Sequence, residues 1–218
     1  MSKEYGYIGK EVEQAFRSNK GIFTPQDIIE LDQENKWTNF GQLELIQTQT
    51  ISSSTASMDF TNIKETEYDT HVLFWSNYRN VTNDRALGMR LSADNGTTFL
   101  TSSNYEYSLK VKNGTSESFS RSGGDSRALL GFNGGNALPY SANGYLYFFN
   151  LGAGDKYNIY TQFGSQLYRD TETYLMHFGS GQNDQAKQIS GIRLFCYSSV
   201  GSDNILNLEA SLYGIRSY

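Results

Sequence analysis

The side chains of this 218-residue chain best suited to nucleophilic or metal chemistry are two histidines and one cysteine. His71 and His177 each sit in an apolar run, Thr70-His71-Val72-Leu73 and Leu175-Met176-His177-Phe178. A zinc site wants three or four ligands held together, and neither run supplies them, so both are expected to be hydrogen-bonded strand histidines. Cys196 as a nucleophile would need a depressed thiol pKa in an electropositive setting. Arg193 is the nearest cation in sequence, and the expectation is a small buried hydrophobe. No Gly-x-Ser-x-Gly elbow and no Gly-x-x-x-x-Gly-Lys-Ser/Thr phosphate loop is present.

Seven carboxylates, Asp94, Asp125, Asp155, Asp170, Glu172, Asp184 and Asp203, fall in or near expected loops. A glycosidase would hold two of them about 5–9 Å apart across a cleft. Loop aspartates more commonly cap their own turns. Asp94-Asn95 or Gly154-Asp155 could offer oxygens to calcium, but the Asp-x-Asp-x-Asp spacing is missing. The expectation is therefore a non-enzymatic chain with no catalytic, cofactor-binding or metal-binding residues. Tyrosines carry a second chemistry: Tyr140, Tyr145, Tyr147, Tyr160, Tyr168 and Tyr174 could stack on sugar rings or serve ordinary packing. Tyr140 and Tyr168 are the candidates for facing a glycan.

The elements that would position these groups read as β. Tyr (16), Phe (13) and Gly (21) are abundant, Pro is rare (2) and only 19% of residues are charged, a composition of pleated surfaces and tight turns. Strict alternation runs through Leu87–Met89–Leu91, Tyr105–Tyr107–Leu109–Val111, Tyr157–Ile159–Thr161–Phe163 and Ile192–Leu194–Cys196, which marks strands with one face buried. His71 to Trp75 and Tyr145 to Leu151 are apolar on both faces and read as central strands covered on both sides. Asn95-Gly96 and Asn113-Gly114 read as two-residue hairpin turns. Ser122 to Asp125, Asn133 to Asn136, Gly152 to Asp155 and Gly179 to Gly181 read as looser loops. Eight to ten strands in two antiparallel sheets follow: an all-β, jelly-roll-like β-sandwich over residues 41–218.

Residues 1–40 differ. Charges concentrate there, Glu11 to Arg17 could form a short helix, and Thr24-Pro25-Gln26-Asp27 reads as a capped helix start. This short helical N-terminal arm cannot be stable alone, so it must dock, either on the open end of its own sandwich or on a neighbouring protein. Its candidate docking residues are Tyr5, Tyr7, Ile8, Ile28, Ile29, Leu31 and Trp37. The net charge of −5, without a Lys/Arg cluster, argues against nucleic acid as a partner. The opening residues lack the apolar stretch of a signal peptide, and no apolar run approaches membrane-spanning length, so membrane insertion is not expected.

Gly21 to Ile28, continuing through Lys36-Trp37 to Gln42-Leu43-Glu44-Leu45-Ile46, resembles the opening of virion structural proteins from tailed phages of marine bacteria. So do Gly6-Tyr7-Ile8-Gly9, the hairpin Ser92 to Thr98 and the ending Ala210 to Ile215. The resemblance implies a tail-fibre, tail-appendage or capsid-decoration part. It implies synthesis in the host bacterial cytoplasm, residence in the virion beside other virion proteins, and a homo-oligomer, with a trimer favoured. The alternatives are a carbohydrate-binding module that recognises a host surface glycan and, third, a glycan-degrading enzyme.

Overall fold

The structure, a computed structural model, describes residues 25–33, 43–132, 134–168, 173–197 and 203–215, apart from the side chains of Asp27, Asp32 and Tyr168. The chain divides into two units, Met1–Phe40 and Gly41–Tyr218. In the first lies helix α1 (Pro25–Gln33). It begins on Pro25, whose fixed φ and missing N–H suit a first helical position. Gln26 donates from Nε2 to Glu30 Oε1 at 2.8 Å, one turn on. The short helix expected over Glu11 to Arg17 lies outside the described residues.

Among its described residues the second unit holds twelve strands: β1 (Glu44–Ile51), β2 (Ser57–Thr61), β3 (Thr70–Asn80), β4 (Ala86–Ser92), β5 (Tyr105–Asn113), β6 (Ser116–Asp125), β7 (Ala128–Leu129), β8 (Ala142–Phe149), β9 (Asn158–Tyr168), β10 (Thr173–Asn183), β11 (Gly191–Tyr197) and β12 (Ile205–Ile215). They form an eight-stranded sheet, β1-β12-β3-β8-β9-β10-β5-β6, and a four-stranded sheet, β2-β11-β4-β7. The protein is thus an antiparallel two-sheet β-sandwich. Each step from β1 to β5 changes sheet, a jelly-roll-like wrap. Phe60, Leu73, Leu87, Met89, Leu91, Leu146, Phe148, Ile192 and Leu194 fill the space between the sheets, each at most 1% exposed.

Three readings of the turns change. Asn113-Gly114 does turn a hairpin, β5 into β6, with Gly114 at φ 56°. Asn95 and Gly96 also take positive φ, 55° and 85°, but the strands on either side belong to different sheets, so this turn is a crossover and not a hairpin. Ser122 to Asp125 and Gly179 to Gly181 are not loops; they lie inside β6 and β10.

Gly181 of β10, Gly164 of β9 and Gly144 of β8 belong in strands because large rings cover the space beside their backbone. Gly181 is the cross-strand partner of Tyr160, Gly164 of His177, and Gly144 of Trp75. In each pair the ring leans over the glycine, and an added Cβ would meet it. Trp75, Tyr160 and His177 are all at most 2% exposed as a result. A strand glycine is normally weakening because it offers nothing to pack; here the opposing ring supplies the packing.

Strand β9 buries the opposite face from the one its alternation suggests. Ile159 (41% exposed) and its face-mates Thr161 and Phe163 point outward, while Tyr160, Gln162 and Gln166 point in. The reason is a set of backbone groups that need partners. After β7 the segment through Phe132 is buried at Leu130 and Gly131. Gln162 Nε2 donates to Leu129 O at 2.8 Å, His177 Nε2 to Leu130 O at 2.8 Å, and Gln166 Nε2 to Phe132 O. Buried carbonyls require such partners, and the large sheet supplies them to the small one.

Gly144→Ala is expected to destabilise the fold by roughly 1–3 kcal/mol through overpacking. Its Cβ would stand 2.5 Å from both Trp75 Cζ2 and Phe163 O. A melting temperature equal to that of the parent chain would contradict the ring-over-glycine account.

Candidate functional site

The groups with the most obvious chemistry are engaged in holding the fold. His177 is buried, with Nε2 on Leu130 O and Nδ1 without a partner. Burial pulls its pKa down to about 4. His71 repeats the pattern: Nε2 lies 2.9 Å from Ile63 O, Nδ1 is unpartnered, and burial lowers its pKa. Cys196 is 3% exposed, and burial pushes its thiol up to about 11. Arg193, three residues away, lies on the opposite face of β11, where it forms a two-point ion pair with Asp59 at 2.7 and 2.6 Å.

Several loop carboxylates cap or pair locally. Asp94 accepts from Thr98 Oγ1 at 2.6 Å, Thr98 N at 2.8 Å and Ser92 Oγ at 2.7 Å, bonds that hold its carboxyl down at about 2. Asp125 pairs with Arg127 at 2.5 Å. Asp203 accepts from Thr82 N and Asn204 N. Asp170 and Glu172 lie outside the described residues. Among the described residues, no three His, Cys, Asp or Glu side chains lie together as a metal site.

The outward faces are more informative. On the small sheet, guanidinium groups lie over aromatic rings: Arg193 over Phe99 at 3.9 Å, Arg90 over Phe195 at 4.6 Å and Arg127 over Tyr197 at 3.1 Å. These stacks cover rings that would otherwise face water.

On the large sheet one register row crosses all eight strands: Thr48, Ser211, Phe74, Tyr145, Phe163, Phe178, Lys110, Phe119. The four central strands of that row each contribute a ring. Tyr145 and Phe163 are stacked, 24° between planes and 5.7 Å between centroids. Phe74 sits 6.2 Å from Tyr145 and edge-on to Tyr213 at 5.7 Å. Phe74 (39%), Tyr145 (38%) and Phe178 (45%) are nevertheless exposed. The runs around Phe74 and Tyr145 are central strands, as their two-sided apolarity suggested, but their outer face is open.

A groove of about 440 Å³ lies over β12, β3, β8 and β9 on this face. Phe74, Tyr145 and Phe163 line it with Thr48, Thr50, Ser76, Asn143, Ser165, Glu209 and Ser211. A β-bulge shapes one end. Pairing of β3 slips between Trp75 and Tyr78, and Asn77 takes φ 56°. Its backbone N–H, freed from the ladder, donates to Asn143 Oδ1 at 3.1 Å; its carbonyl accepts from Asn207 Nδ2 at 3.3 Å. Its side-chain Nδ2 holds Glu209 Oε1 at 3.1 Å. Thr48 and Ser211 hydroxyls meet at 2.9 Å on another side. Bulges commonly re-aim side chains in this way.

Of the tyrosines singled out for glycan contact, Tyr140 is half-buried, in a 3-10 turn (Leu138–Tyr140), and its ring packs over Gly135. The Tyr168 side chain lies outside the described residues. Tyr140 is not among the residues that line the groove. Of the candidate docking residues, Ile28 (37%) and Ile29 (50%) are exposed on α1 and Leu31 is half-buried; Tyr5, Tyr7, Ile8 and Trp37 lie outside the described residues. The groove's own signal was weak in sequence: Tyr145 was visible as one tyrosine among several, but Phe74, Phe163 and Glu209 join it only through strand register. No protein-family model, curated protein or solved structure matches the chain.

Two outcomes follow from the buried titratable groups. The unfolded His177 titrates near 6.5 and the folded one near 4. Stability is therefore full above pH 6.5 and falls as pH drops from 6.5 towards 4, where only the unfolded chain takes up the proton. The loss reaches about 3 kcal/mol for a shift of this size, and His71 adds to it in the same direction. Asp94 acts only lower, between its ordinary value of 3.8 and about 2. Denaturant melts across this range measure the slope; His177→Gln, which keeps a donor for Leu130 O but cannot titrate, should flatten it. Cys196 should resist a thiol reagent at pH 8 in the folded protein and react after unfolding; fast labelling of the native state would contradict its burial.

Proposed function

We propose that the chain is a non-catalytic structural component of a tailed-phage virion, a compact tail-fibre, appendage or capsid-decorating part. In this reading the residue 1–40 unit docks on other virion proteins, and the sandwich unit is the displayed body. The observation that carries it is α1. Nine residues do not hold a helix in water without packing, yet this one exposes two adjacent isoleucines, Ile28 and Ile29. Covering them against a neighbouring protein removes apolar surface from water and stabilises the helix. The motif likeness at both ends of the chain supports the virion as the setting, and with it the homotrimer as the assembled state.

The test is incorporation into purified particles. A chain lacking residues 1–40 should keep its β circular-dichroism spectrum and lose at least about nine-tenths of its particle-bound fraction. The double variant Ile28→Ser, Ile29→Ser should weaken incorporation in the same direction, since the two side chains together bring roughly 3–6 kcal/mol of transfer free energy when fully buried. Normal incorporation of the truncated chain would overturn the docking role.

A further inference from the structure

We propose that the groove over β12, β3, β8 and β9 binds a neutral pyranose ring of a surface polysaccharide. This goes beyond the docking role of residues 1–40 and does not depend on it, because it needs only the outer face of the sandwich unit.

The floor is aromatic. Tyr145 and Phe163 are nearly parallel, and their 5.7 Å centroid separation makes them an offset pair, which leaves part of each ring face uncovered. Phe74 extends the floor beside Tyr145. The C–H groups on one face of a pyranose are apolar and weakly positive, and they settle against the negative face of such rings. A sugar also brings hydroxyls that must exchange water for protein partners.

The rim supplies those partners from fixed positions. Thr48 and Ser211 offer hydroxyls, which both donate and accept. Asn143 and Glu209 stand at the bulge, each tied to Asn77. Glu209 is held through Oε1 and lines the groove as an exposed carboxylate. A few placed polar groups around an apolar floor, in a volume of about 300–1,000 Å³, is the arrangement of small-molecule sites, and this groove measures about 440 Å³.

The charge narrows the ligand. Among the described residues, Glu209 is the one charged residue lining the groove. A carboxylate there accepts from sugar hydroxyls and repels uronic or sialic acids. The rival occupant, the flat face of a second copy, would bury Glu209 and Asn143 against apolar rings and leave their remaining polar atoms unpaired, which is costly.

The test titrates the full-length protein with neutral glucose-, galactose- and mannose-based oligosaccharides and with their uronic-acid counterparts, followed by calorimetry and by tryptophan fluorescence, since Trp75 lies under the groove. Neutral oligosaccharides should bind saturably and the acidic set at least about tenfold more weakly. Tyr145→Ala should weaken binding about tenfold, a loss of roughly 1.4 kcal/mol, and Glu209→Gln should narrow the gap between neutral and acidic sugars. Thr50→Arg fills the groove from an exposed position and should abolish binding with the melting temperature unchanged, which separates loss of the site from loss of the fold. The proposal is overturned if no neutral oligosaccharide binds, if Tyr145→Ala and Thr50→Arg bind like the parent, or if Tyr145→Ala dissociates a dimer in the ultracentrifuge.

Discussion

The sandwich hangs on a demand set by its smaller sheet. β7 is a two-residue edge strand, and the chain that follows it is buried with carbonyls that the four-stranded ladder does not satisfy. Each such orphan would cost about 1–3 kcal/mol. Gln162, His177 and Gln166 meet the demand from β9 and β10. The same device recurs along the seam. Tyr105 on β5 takes the Leu91 N–H at 2.8 Å, Tyr78 on β3 donates to Ala86 O at 3.1 Å, and His71 reaches Ile63 O. The apolar core sets the two sheets face to face without direction, and these bonds fix which residue lies over which.

From that demand the outer surface follows. A strand has two faces and a period of two. Once Gln162, Gly164 and Gln166 are required inside, Ile159, Thr161 and Phe163 must point out. Phe163 then falls in register with Tyr145 on β8 and Phe178 on β10, and the exposed aromatic row is completed by Phe74. The inward polar residues and the outward rings of β9 are two results of one choice of face. They also explain why histidines that look like chemistry in the sequence are unavailable for it: their Nε2 atoms are spoken for by backbone carbonyls, and burial keeps them neutral.

Much of this was legible in the sequence. Leu87–Met89–Leu91 and Ile192–Leu194–Cys196 alternate cleanly because both lie in the small sheet, whose inner face is purely apolar. Pro25 marks the start of α1, and Asn113-Gly114 the β5–β6 hairpin, because each residue's backbone preference acts locally. What escaped depends on partners distant in sequence. Gly181 looks like part of a loop until Tyr160, some twenty residues earlier, is seen to cover it. Gln162 looks like a solvent-facing residue until Leu129 O needs it. Tyr157 to Phe163 looks like a buried stripe because periodicity reports that two faces differ, not which one is inside. The groove shares this limit: Tyr145 was visible, but Glu209 stands 64 positions further along the chain.

The bulge at Asn77 is where fold and site meet. An extra residue in β3 breaks the ladder to β8 on one side and to β12 on the other, and both breaks expose backbone groups that must be satisfied. Asn143 from β8 and Asn207 from β12 satisfy them, so each neighbouring strand commits an asparagine to Asn77. Asn77 in turn holds Glu209. The polar end of the groove is therefore built from the repair of a ladder defect, and its geometry is as fixed as the sheet itself. Positive φ at a non-glycine residue carries a conformational cost. It persists here because three side chains from the two neighbouring strands bond to the same residue, and the consequence is a carboxylate and an amide standing beside a row of exposed rings.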